Sequence, residues 1–168
     1  MTLHVRDLPD EEATLELGAL LASAARPGLV LFLSGELGAG KTTLVRGFLR
    51  ALGYRGHVKS PSFSLLEPYV VSSLNLYHFD LYRFTSSAEW VSTGFGELFG
   101  PDSLCIVEWP ENARAALPEP DLELRLEVLD GGGRRAELRA RSAAGAQWLM
   151  RAFSPSRSVP PAAPPAPS

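Results

Sequence analysis

Eight consecutive positions, Gly35-Glu36-Leu37-Gly38-Ala39-Gly40-Lys41-Thr42, satisfy the spacing G-x-x-x-x-G-K-[ST]. The spacing has a physical purpose. Glycines 35, 38 and 40 let the backbone wrap closely around an anion. The N–H groups of the loop and of the following helix N-terminus then point at a β-phosphate. Lys41 supplies a point charge for the β- and γ-phosphates, and the Thr42 hydroxyl is a ligand for Mg²⁺. Thr43 adds a second hydroxyl near the α-phosphate. The chemistry is the binding of a nucleoside triphosphate; the bland alternative is a glycine-rich turn that matches by chance.

Such a loop needs a carboxylate at the C-terminal end of a neighbouring buried strand. Two acids qualify. Glu108 follows four apolar residues in a row, Leu104-Cys105-Ile106-Val107, and Asp80 follows the less uniformly apolar Leu74-Asn75-Leu76-Tyr77-His78-Phe79. The central parallel strand should be the uniformly apolar one. Glu108 is therefore expected to order Mg²⁺, directly or through water, and Asp80 to position or deprotonate an attacking water. Each has a plainer reading as a surface acid at a strand end. Cys105 reads as an inert core residue, and Trp109 as packed near the site or as plain core. His78 reads as a packed or hydrogen-bonded histidine, since no second His or Cys stands at ligand spacing.

The base is chosen by elimination. Guanine-reading P-loop proteins commonly carry an Asn/Thr-Lys-x-Asp element. The chain has only two lysines, Lys41 in the loop and Lys59 in Val58-Lys59-Ser60-Pro61. That element is absent, which favours ATP.

The surrounding elements must hold these residues. Leu3–Arg6 reads as a short strand. Asp10 is an N-cap, with Glu11 and Glu12 in the first turn of a helix carrying Leu17, Leu20 and Leu21. Pro27-Gly28 ends it. Leu29–Leu33 is a strand buried on both faces. A helix follows the loop, with Leu44, Val45, Phe48, Leu49 and Leu52 on one face and Gly53 as its stop. Residues 57–62 form a polar loop. Phe63–Val71 and Leu74–Phe79 pair as a hairpin through Ser72-Ser73. A helix is expected over 86–99 and a short one over 111–116. Leu122–Leu129 alternates as a half-exposed strand and turns at Gly131-Gly132-Gly133 into a partner strand over 134–141. A last helix covers 143–152. The pattern implies an α/β fold, a three-layer arrangement with a mixed, mostly parallel sheet flanked by helices and antiparallel hairpin strands.

The chain has 168 residues and a net charge of −3. Six of its 14 prolines fall in the last 14 residues, so 154–168 reads as a disordered Pro/Ala/Ser-rich tail and 1–153 as one domain. That length leaves little room for a second catalytic domain. The mild acidity argues against autonomous binding to bulk nucleic acid. One cysteine excludes an intramolecular disulfide. No apolar run approaches the ~20 residues of a membrane span, and residues 1–10 lack the pattern of a signal peptide. A cytoplasmic protein is expected.

Four segments taken together resemble one family. They are the phosphate loop through Thr43, Val58-Lys59-Ser60-Pro61-Ser62-Phe63-Ser64-Leu65, Tyr77-His78-Phe79-Asp80-Leu81-Tyr82-Arg83, and Ile106-Val107-Glu108-Trp109. In order and spacing they are similar to the bacterial TsaE family, the ATPase of tRNA threonylcarbamoyladenosine biosynthesis, over about residues 9–150. The resemblance implies a P-loop NTPase that binds ATP and Mg²⁺ and hydrolyses ATP weakly alone. It further implies TsaB- and TsaD-type partners, the latter performing the transfer to the adenosine beside the tRNA anticodon, with tRNA met through the complex. It assigns Thr42 and Glu108 to Mg²⁺ and makes Asp80 necessary for activity. Lys59, Ser60, Pro61 and Ser62 match a switch-like segment near the γ-phosphate, and the family's base contacts map weakly to Glu11. The chain departs from the family in having Ser62 and Ser64 where threonines are usual, and in Glu89–Gly96.

The arginines at 134, 135, 139, 141, 151 and 157 crowd the C-terminal third, where Glu137 is the one acid after residue 130. They read as a solvated face or as a local tRNA or partner contact. Arg83 reads as a reach to a phosphate or partner carboxylate, or as a surface salt bridge. Two other functional classes fit a P-loop: a small-molecule kinase, which needs an acceptor pocket and lid, and a nucleotide-dependent binding module with negligible turnover.

Overall fold

The computed structural model describes residues 2–154. The expected tail, apart from Ser154, lies outside the described residues. Within them, seven strands form one sheet in the order β1-β7-β6-β2-β5-β4-β3. They are β1 (Leu3–Leu8), β2 (Val30–Gly35), β3 (Leu66–Val71), β4 (Leu74–Asp80), β5 (Ser103–Glu108), β6 (Leu122–Val128) and β7 (Arg134–Ala140). Four α-helices accompany them among the described residues: α1 (Glu11–Ser23), α2 (Lys41–Ala51), α3 (Ser87–Thr93) and α4 (Ala143–Ala152). The central strands β6, β2, β5 and β4 run parallel. Antiparallel partners β3, β7 and β1 extend the sheet on either side. This is the expected mixed sheet between helical layers.

The two-residue period of a strand explains the apolar runs. Leu31 and Leu33 of β2, with Leu104 and Ile106 of β5, face a core shared with α1, α2 and α4. Phe32, Cys105 and Val107 face a second core containing Phe79, Leu81 and Trp90. With both faces covered, every residue of β5 is buried; its first, Ser103, satisfies its hydroxyl on the Leu98 carbonyl at 2.6 Å, and the four that follow are apolar until Glu108. In β6 only one side is covered: Leu122, Leu124 and Leu126 are buried while Arg125 is exposed. Each fully buried leucine contributes about 2 kcal/mol of transfer free energy.

The phosphate-loop helix is held by close backbone packing. A Cβ on Gly47 of α2 would sit 2.2 Å from the Leu15 carbonyl oxygen of α1, and one on Gly18 would meet that of Leu44 at the same distance. Only glycine allows α1 and α2 to approach this closely. Trp148 of α4 donates its indole N–H to the Leu21 carbonyl at 2.8 Å, fixing α4 against α1.

Several boundaries differ from the sequence expectation. The hairpin's first strand begins at Leu66 rather than Phe63, because 61–64 fold into a turn closed by Leu65 N–H donating to the Pro61 carbonyl at 2.9 Å. Leu65 itself has φ 67°. The helix expected over 86–99 is interrupted: α3 stops at Gly94, left-handed at φ 72°, and a 3₁₀ turn covers Phe95–Leu98. The short helix over 111–116 is two 3₁₀ turns, Pro110–Asn112 and Arg114–Ala116. Each break follows a local rule, since a left-handed glycine ends a helix and a proline pre-sets only a first turn.

Candidate functional site

β2 delivers the chain into the loop, and α2 receives it at Lys41. Glycines 35, 38 and 40 have φ of 148°, 80° and 104°. Gly40 is the N-cap of α2 and supplies no side-chain cap. The first N–H groups of α2 thus have no intrahelical partner and no cap. Lys41 is buried. Its ammonium donates to the Gly35 carbonyl and lies 4.1 Å from the centroid of the Trp109 ring. Trp109 takes a left-handed conformation, φ 57°, immediately after β5.

Both candidate acids reach this point. β4 and β5 are parallel and in register, so Asp80 stands opposite Glu108, and Glu108 stands opposite Leu33 of β2. Asp80 and Glu108 are 5% and 3% exposed, which rules out the plain surface reading for both. Asp80 Oδ1 accepts from Tyr82 N–H at 2.9 Å. Glu108 Oε2 and His78 Nε2 are 2.6 Å apart, and the histidine is fully buried. A carboxylate can only accept, so Nε2 donates to it, and Nδ1 has no hydrogen-bond partner.

The charges act on one another. Burial lowers the Lys41 ammonium from its ordinary value, against the opposing pull of Glu108, Asp80 and Glu111. Burial raises the Asp80 carboxyl; the Tyr82 N–H opposes this, the charge of Glu108 adds to it, and His78 and Lys41 oppose it. One cation and two buried carboxylates thus share a small, poorly solvated space.

Thr42 stands on the first turn of α2, directly after Lys41. Mg²⁺ favours oxygen donors, taking one or two carboxylates with phosphate oxygens and waters rather than an all-protein cage. The Glu108 carboxylate and the Thr42 hydroxyl are oxygen donors of the kind such an ion takes. No group of three or more His, Cys, Asp and Glu side chains gathers for a metal among the described residues.

Two cavities flank the loop. One of about 280 Å³ is lined by Asp10, Glu11, Thr14, Gly40, Thr43 and Arg134, among others. It brings Glu11 next to the loop. Glu11 also pairs loosely with Arg46, 3.7 Å apart. The other, of about 320 Å³, is lined by Ser34, Gly35, Glu36, Trp109, Glu111 and Arg125. Leu37 projects into solvent.

The segment matching a switch joins the site through backbone. Ser60 and Ser62 share a 2.7 Å hydrogen bond between hydroxyls. Pro61 is buried, and Lys59 is exposed. At the segment's end the Leu65 carbonyl accepts the Asp80 N–H at 3.0 Å. Arg83 lies 4.2 Å from the ring centroid of Phe63, which is 83% exposed. It therefore stacks on an aromatic ring rather than forming a surface ion pair.

The structure adds Glu111 and Arg134 to the site and gives His78, expected to be packed or hydrogen-bonded, its partner. Glu111 acts on Lys41 through the turn after Trp109. His78 turns out to hold Glu108. Arg134, read as one of a basic cluster, bonds to the phosphate loop; the glycine triplet before it was the signal.

Comparison with known proteins finds relatives over most of the chain. The family described as "Threonylcarbamoyl adenosine biosynthesis protein TsaE" matches residues 8–136. A tRNA threonylcarbamoyladenosine biosynthesis protein TsaE from Haemophilus influenzae is 38% identical over 152 residues, 88% of this chain and 95% of that protein. One from Bacillus subtilis is 40% identical over 113 residues, 67% of this chain and 70% of that protein. The crystal structure of YdiB from Bacillus subtilis superposes with a TM-score of 0.78 at 29% identity, covering 90% of this chain and 94% of that one.

Proposed function

The chain belongs to the TsaE family of threonylcarbamoyl adenosine biosynthesis proteins, and we propose that it is the Mg²⁺-dependent ATPase of tRNA threonylcarbamoyladenosine modification. It would act in the cytoplasm with TsaB- and TsaD-type partners and meet tRNA through their complex. The observation that carries the ATPase reading is the register of β4 and β5, which sets two buried acids side by side at the ends of parallel strands next to Lys41.

Each residue has a task in this reading. The N–H groups of the loop and of Lys41, Thr42 and Thr43 receive the phosphates. Lys41 transfers its ammonium from the Gly35 carbonyl to the β- and γ-phosphates. Thr42 and Glu108 would hold Mg²⁺, which neutralises phosphate charge when bound. Asp80 orients a water towards the γ-phosphorus and accepts its proton as the bond to the β–γ bridging oxygen breaks, leaving ADP and inorganic phosphate. Its carboxyl, raised by burial, is a stronger base than an exposed one. The Lys59–Ser62 segment would report the γ-phosphate to Asp80 through the Leu65 carbonyl.

The test is single-turnover ATP hydrolysis by the full chain, alone and with TsaB, TsaD and tRNA. Weak hydrolysis alone that changes on adding the partners is expected, with Asp80→Asn and Glu108→Gln losing it. Partners that neither bind nor alter the rate overturn the assignment, and phosphoryl transfer to a metabolite instead of water would favour a kinase.

A further inference from the structure

Arg134 is the first residue of β7, opposite Leu8 of β1 and Val128 of β6. Its guanidinium reaches across to the phosphate loop. Nε donates to the Ala39 carbonyl at 3.1 Å and Nη2 to the Gly38 carbonyl at 3.2 Å. Nη1 donates to the carbonyls of Gly132 at 2.9 Å and Gly133 at 3.3 Å. One side chain thereby joins two loops 95 residues apart. Arg114 and Arg135 pair with carboxylates, whereas Arg134 bonds to backbone carbonyls.

That choice of partners has a physical meaning. A loop that turns N–H groups inward towards an anion must turn carbonyls outward. Those carbonyls need partners, above all at Ala39, which is fully buried. Ala39 N–H is already held by the Glu36 carbonyl at 3.0 Å. With its carbonyl held by Arg134, the residue is fixed from both sides. A peptide flip that aimed the Gly38 or Ala39 oxygen at a phosphate would break these bonds. The planar fork of arginine can bridge two carbonyls on each side, which a lysine ammonium cannot do in the same geometry.

We propose that Arg134 is a positioning residue of the phosphate loop, a strut from the β6–β7 hairpin that keeps the loop's N–H groups facing the phosphates. The proposal rests on the ATP reading above. Arg134 also lines the 280 Å³ cavity beside the loop, so the experiment must separate a strut from a direct contact with the nucleoside.

Full-length Arg134→Lys and Arg134→Met are compared with the unmodified chain in binding Mg-ADP, Mg-ATP and Mg-tripolyphosphate by calorimetry. Amide hydrogen exchange of residues 36–40 is followed without ligand. A strut weakens all three ligands alike, by roughly tenfold, the loss of one or two charge-assisted hydrogen bonds. Exchange over 36–40 accelerates, while the melting temperature and exchange elsewhere hold, and lysine does not rescue. Variants that bind and exchange like the unmodified chain overturn the proposal. So does a loss confined to the nucleotides that spares tripolyphosphate, which would make Arg134 a nucleoside contact. If the unmodified chain binds none of the three, the ATP reading itself is overturned, and exchange over 36–40 alone decides the strut.

Discussion

His78 Nε2 and Glu108 Oε2 lie 2.6 Å apart with both side chains buried, so the acid at the end of β5 is aimed by a histidine on the neighbouring strand. Removing one partner of a buried pair costs about 3 kcal/mol, because the other is left uncompensated. His78→Ala is expected to lose stability of that order in urea unfolding. Under the proposed ATPase function, hydrolysis should fall roughly 10–100-fold, the usual cost of losing a group that orients a metal ligand, the role proposed for Glu108. ADP affinity, set by the loop, should change far less. His78→Gln, which keeps a donor, should recover part of the rate.

Asp80, the proposed base, carries a cost in stability. Its folded pKa is raised above the ordinary 3.8, first by burial. The folded state therefore holds the proton more tightly than the unfolded one, and stability falls as pH rises between the two values. The penalty is absent below the ordinary value and complete above the folded one. Asp80→Asn keeps an oxygen for the Tyr82 N–H and removes the charge. It should raise the melting temperature at neutral pH by roughly 2–4 °C while abolishing hydrolysis, and the gain should vanish in acid. Melting curves at several pH values check this.

Lys41→Arg should fail almost as fully as Lys41→Ala. The slot between the Gly35 carbonyl and the Trp109 ring holds a compact ammonium, and a planar guanidinium has a different shape and donor geometry. Both variants should weaken Mg-ATP binding roughly 10–100-fold, the range for a lost hydrogen bond to a charged group. Calorimetric titration measures it.

Gly47→Ala should destabilise by about 1–3 kcal/mol, because its methyl would meet the Leu15 backbone. Equilibrium urea unfolding gives the value. Nucleotide affinity should fall with it, since α2 must shift away from α1 and carries the loop's helical end.

Cys105 should resist thiol reagents until the protein unfolds. Its thiol is buried and pushed up to about 12 by that burial, leaving almost no thiolate at pH 8. The rate of labelling by a disulfide reagent should track the unfolding equilibrium in urea.

The phosphate loop, Asp80 and Glu108 were legible in the chain because each depends on local order: a spacing, or an acid directly after an apolar run. The sheet type was legible for the same reason, through the unbroken Leu104–Val107 and the alternation of Leu122–Val128. The His78–Glu108 bond was not, since it depends on two strands 30 residues apart pairing in parallel and in one register. Arg134 looked like its arginine neighbours until the fold carried it to Ala39. β3 starts three residues later than its apolar pattern implies, because Phe63, apolar by type, sits in a turn and is exposed. Hydrophobicity alone does not report a left-handed residue such as Leu65.

The place of β2 in the sheet also bears on how the chain is made. Val30 pairs with Cys105 on one side and Leu31 with Leu122 on the other. On the ribosome this apolar strand emerges early, yet neither neighbour exists until some 70 to 90 further residues have been synthesised. For that interval it presents two unpaired edges, the kind of segment that chaperones retain and that aggregates when they do not. The nucleotide loop at its end can take its final shape only when most of the domain has emerged, so a truncated nascent chain would carry the whole loop motif without a site.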